Sequence, residues 1–131
     1  MIQSYRDLDV YQRAMALLVP VHELVLSFPE YEKYELCSQM RRASKAIPVN
    51  IAEGYSKRRF EKEFKNHLNI AMGEANEMVV HLETSRALGY AGPTPCTELI
   101  DGYTIVGKQL FRLMSNWHSY ANREQGTNVA G

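Results

Sequence analysis

Apolar and small residues recur along this chain in alternating steps of four and three, the spacing that gathers side chains on one stripe of an α-helix. The longest run is Phe64, Leu68, Ala71, Ala75, Met78, Leu82 and Ser85. A second follows at Leu99, Tyr103, Val106, Leu110, Leu113, Trp117 and Tyr120. Near the start the stripe is Val10, Ala14, Leu17, Val21, Leu24 and Phe28, with Asp7 or Asp9 available as a cap and Pro20 expected to bend the rod without ending it. Between these lie Leu36, Met40, Ala43, Ile47, Asn50 and Gly54, which give a helix with a polar residue and a glycine on its inner face.

The punctuation separates four rods, expected at about 8–28, 30–55, 59–88 and 95–121. Phe28-Pro29 closes the first and opens the second, and Gly54 to Arg59 forms a polar connection. Gly89 suits the left-handed residue that ends a helix, and Thr94-Pro95 reads as the cap and first position of the last rod. Gly102 and Gly107 each cost that rod about 1 kcal/mol relative to alanine, so both are expected at close helix contacts. Short links between long helices imply antiparallel neighbours: an all-α, up-down-up-down four-helix bundle over residues 1–122, followed by a tail at 123–131. No strand-like alternation of useful length interrupts this pattern.

A length of 131 residues with 45% hydrophobic and 23% charged positions fits one ordinary globular domain. Cys37 and Cys96 lack CxxC or zinc-type spacing and read as reduced packing residues. No apolar stretch reaches the roughly 20 residues of a membrane span, and the N-terminus has no secretory pattern. A cytoplasmic protein without a membrane partner is expected.

Formal net charge is zero, so attraction to a polyanion would depend on local clustering. Between Gln39 and Lys65 eight basic residues (Arg41, Arg42, Lys45, Lys57, Arg58, Arg59, Lys62, Lys65) face three acidic ones (Glu53, Glu61, Glu63). They are the candidate nucleic-acid-binding residues, with Tyr55 and Phe60 near enough to stack on bases. Lys45 and Lys57 are roughly 18 Å apart along a helix, which favours two smaller patches in one protomer. The competing reading is a solvated face whose cations pair with nearby carboxylates, Arg41 and Arg42 among them.

Asn50 and Glu53 are assigned to a structural polar core. Pro48 deprives the Ser44 carbonyl of its helical partner, and the Asn50 amide stands near enough to serve local backbone groups. His67, Glu74 and His81 form a row spaced by seven, and Glu63–His67 and Glu77–His81 read as exposed pairs four apart. Di-iron bundles use Glu-x-x-His on two helices, whereas this chain has Glu-x-x-x-His twice on one. His22 and His118 stand outside any pattern. No phosphate loop, HExxH or serine elbow occurs, so no catalytic residue, metal ligand or cofactor is assigned.

Three stretches, "LDVYQRA" at Leu8 to Ala14, "FPEYEKYELCSQMRRASKAIPVNIAEG" at Phe28 to Gly54 and "EFKNHLNIAMGEANEMVVHL" at Glu63 to Leu82, resemble the 23S rRNA intervening-sequence family. The resemblance implies a four-helix bundle that assembles as a ring-like homopentamer and has no established enzymatic activity. It also implies a distant likeness to accessory proteins of diversity-generating retroelements, which bind nucleic acid and a reverse transcriptase. This chain has Glu35, Lys45 and Glu74 where the family usually has glycine, serine and serine. The partners expected are therefore further copies of itself, RNA or DNA, and a nucleic-acid enzyme. Tyr5, Tyr11, Tyr31, Tyr34 and Tyr55 are candidate interface anchors. Three functions compete: a non-enzymatic nucleic-acid or ribonucleoprotein adaptor, a protein-interaction scaffold with no nucleic acid, and, weakest, a metal-dependent enzyme.

Overall fold

The computed structural model describes residues 2–117. Five α-helices build four rods: α1 (Asp9–Ala16) and α2 (Leu18–Val25) in line as the first, then α3 (Leu36–Ser56), α4 (Glu61–Ala87) and α5 (Pro93–Ser115). Short 3-10 turns at Tyr5–Asp7 and Glu30–Glu32 precede α1 and α3. α3 packs on α4, α4 on α5, and α1 closes the ring against both α3 and α5. The architecture is the all-α four-helix bundle that the periodicity implies. The expected continuation of the last rod to 121, the inner position at Tyr120, His118 and the tail at 123–131 lie outside the described residues.

The stripes meet in one core. All seven α4 positions from Phe64 to Ser85 are buried, as are Leu99, Tyr103, Val106, Leu110 and Trp117. The Trp117 ring stacks on Phe64 with centroids 4.4 Å apart, which joins the ends of α4 and α5. Burial on this scale, rather than helix propensity, holds rods that contain internal glycine and proline.

Local chemistry shifts several boundaries. The first rod breaks at Leu17, three residues before Pro20, because the missing proline N–H and the ring's clash act on the carbonyl four residues back. Pro48 does not break α3, which runs unbroken from Leu36 to Ser56. α3 begins six residues later than expected, after the Glu30–Glu32 turn, and it extends into the segment read as a polar connection. α5 starts with Gly92 as cap and Pro93 in its first turn, ahead of the expected Thr94-Pro95. Asp7 caps the opening 3-10 turn by accepting from the Ser4 amide, and α1 has no side-chain cap.

Two glycines that look alike in sequence differ in space. A Cβ on Gly102 would stand 2.7 Å from Leu17 Cδ2, so that glycine admits the first rod at its break. A Cβ on Gly107 would meet nothing within 4 Å among the described residues, which corrects the expected close contact there. Gly89 takes φ +73°, the left-handed conformation expected of it.

Candidate functional site

The eight basic residues separate into two groups along α3 and the turn into α4. At the first, the Arg42 guanidinium lies 3.4 Å from Glu74 Oε1 and 3.3 Å from Glu77 Oε2, so its charge is matched across the helix pair. Arg41 donates from Nη2 to the Lys33 carbonyl at 3.1 Å, which holds it along its own side of α3. Lys45 is exposed.

The second group occupies the α3–α4 turn. Lys57 Nζ donates to His67 Nε2 at 3.1 Å, and Lys65 pairs with Glu61 at 2.9 Å. The Arg58 guanidinium lies 4.2 Å from the centroid of the buried Tyr55 ring and donates to the Tyr55 carbonyl. Arg59 and Lys62 are exposed and make no side-chain hydrogen bond or ion pair among the described residues, and Phe60 between them is 63% exposed. Of the two candidate stacking residues, Phe60 is thus available and Tyr55 is committed to the core.

A polar seam links the two groups on the α3–α4 side. Lysine can only donate, so His67 Nε2 is an acceptor and its Nδ1–H donates to Asn50 Oδ1 at 3.2 Å. Asn50 in turn donates to the Ala46 carbonyl at 2.9 Å, a local backbone partner other than Ser44. Glu53 is a correction. Its side chain is 54% exposed, at the rim of the seam, with Oε2 3.7 Å from His67 Nδ1, because position 53 faces outward from the stripe that carries Asn50.

One heptad further along α4, the seam holds Glu74, Glu77 and His81. Burial raises the Glu74 carboxyl above its ordinary value, and hydrogen bonding of its protonated form to Glu77 together with charge repulsion by Glu77 adds to this against the pull of Arg42. Burial, reinforced by Arg42, holds His81 below the ordinary imidazole value. Glu74 Oε2 and His81 Nε2 are buried without a hydrogen-bond partner among the described residues. The pairs expected to be exposed are therefore largely covered: His67 and His81 side chains are 14% and 13% exposed, and His67 engages Asn50 and Lys57 rather than Glu63. The seven-residue row was the sequence signal for this seam, and its weight was hidden because i,i+7 spacing does not say what lies opposite. No group of three or more His, Cys, Asp or Glu among the described residues converges as metal ligands would. Cys37 and Cys96 are free and buried, which pushes both thiols up.

These features define an all-α bundle whose polar chemistry is displayed along the α3–α4 side and concentrated at one inter-helix turn. The chain belongs to the family described as 23S rRNA-intervening sequence protein, which matches residues 6–112. It is also similar to a solved structure described as a protein of unknown function from the S23 ribosomal protein family of Bacteroides thetaiotaomicron. The two are 24% identical with a TM-score of 0.71, over 81% of this chain and 95% of that one, a likeness of fold. The comparison with curated proteins found no match.

Proposed function

We propose that this protein works by binding rather than catalysis: a self-associating cytoplasmic bundle that holds RNA or DNA against its α3–α4 turn and serves as an adaptor for a nucleic-acid enzyme. The observation that carries this reading is the turn itself. Arg59 and Lys62 project there without partners among the described residues, beside exposed Phe60 and the cations Lys57, Arg58 and Lys65. Cations that are not already paired can release counterions from phosphate, and an exposed ring between them offers a base a stacking surface. The Arg41–Lys45 group contributes less to this reading, since Arg42 already faces two carboxylates.

The test is a binding titration with single-stranded RNA and DNA at two salt concentrations. Affinity falls with log salt at a slope of about −0.7 per phosphate contacted. Arg59→Glu with Lys62→Glu weakens binding while Arg42→Gln leaves it nearly unchanged. No binding by the wild type at low salt removes the reading. It would leave the scaffold alternative, which the internal neutralisation of Arg42 by Glu74 and Glu77 favours.

A further inference from the structure

Two faces of the bundle are unlike in shape, and the helices that carry them, α5 and α2, differ in charge. Between α4 and α5 lies an open groove of about 660 Å³, with Met72, Val79, Gly107 and Phe111 as its apolar lining and Lys108 and Arg112 along it. The absent side chain at Gly107 leaves that stretch open, and Phe111 is 62% exposed. From Gly102 to Ser115, α5 carries these two cations and no carboxylate.

The first rod presents the complement. Met15, Val19 and Leu26 form an outward stripe at steps of four and seven and are 43%, 63% and 83% exposed. Glu23 stands between the last two, and α2 carries no Lys or Arg. Val19 and Leu26 also wall a second groove of about 480 Å³ that reaches down to Phe28 and Cys37, with Glu30 on its edge and Lys33 and Arg41 also lining it. Arg41 is held there by the Lys33 carbonyl.

We propose that the α4–α5 groove of one copy seats the Met15–Leu26 stripe of a second copy, with Glu23 set against Lys108 and Arg112. This rests on the self-association in the reading above and assigns its surfaces. The stripe and the α5 wall from Thr104 to Ser115 have the same length, about 16 Å at 1.5 Å per residue. A helix laid in the groove covers apolar side chains on both copies, and opposite charges fix its direction. The two faces are different patches, so the contact is head-to-tail. Each copy keeps one free groove and one free stripe, which leads to a closed ring or an open chain.

Light scattering on Phe111→Asp, on Leu26→Asp and on their equal mixture tests this. Both side chains are mostly exposed, so each variant keeps the wild-type helical circular dichroism. If Phe111→Asp loses it, Lys108→Glu with Arg112→Glu takes its place. The wild type is assembled, each variant alone is monomeric, and the mixture gives a dimer of twice the chain mass, because one intact groove and one intact stripe remain between them. Assembly that persists in either variant, or a mixture that stays monomeric, overturns the pairing while self-association stands. A monomeric wild type overturns both and leaves the groove to an acidic helix of another protein.

Discussion

Replacing Gly54 by alanine tests how closely α3 and α4 approach. The added Cβ would stand 3.0 Å from His67 Cβ, 3.4 Å from the Phe64 carbonyl oxygen and 3.7 Å from Leu68 Cδ2. Comfortable carbon contacts begin near ~3.5 Å, so the first of these is short by about half an ångström. His67 Cβ is bonded directly to the α4 backbone and cannot rotate away. Relief requires the helices to part, which disturbs the His67 bonds to Asn50 and Lys57. Overpacking of this kind costs about 1–3 kcal/mol, and alanine returns about 1 kcal/mol of helix propensity. The net expectation is a loss of up to ~2 kcal/mol. Gly73→Ala is the control, since a Cβ there meets nothing within 4 Å among the described residues and the same propensity acts alone to stabilise by about 1 kcal/mol. Urea unfolding of both variants followed by circular dichroism, at one protomer concentration, separates these values. Equal stabilisation by the two substitutions would refute the close approach.

Leu68→Ala, at a position with no exposed surface in the centre of α4, should lower unfolding free energy by about 2–5 kcal/mol in the same assay, and a loss below ~1 kcal/mol would contradict its place in the core. Asn50→Ala should cost about 1 kcal/mol and free His67 Nδ1–H, visible as a changed imidazole nitrogen shift by NMR; an unchanged shift would remove the Asn50–His67 bond. His81 is held below its ordinary value of 6.5, so the folded state binds fewer protons than the unfolded one, and stability is lost as pH falls from 6.5 through the folded value. His81→Gln should flatten that part of the urea midpoint against pH, and an unchanged slope would refute the assignment. Glu74 acts in the opposite sense: its raised value contributes stability that is present below 4.5 and lost as pH rises through the folded value.

The four stripes could be read from sequence because helical periodicity is a property of one segment and its own geometry. The seven stripe positions from Phe64 to Ser85 are all buried, and the same spacing placed Met40, Ile47 and Leu110 in the core. Gly89 was equally legible, since a helix end that needs positive φ selects glycine locally. The tertiary structure decided what depends on the offset between rods. Gly102 and Gly107 carry the same local signal, yet only Gly102 meets Leu17, because the first rod breaks at that height. Arg42 finds Glu74 and Glu77 more than 30 positions away, whereas Arg59 and Lys62 have no side-chain partner among the described residues. Lys45 is exposed as well, beside the matched Arg42. Charges act through space, and a one-dimensional pattern records which residues share a face but not which face lies opposite.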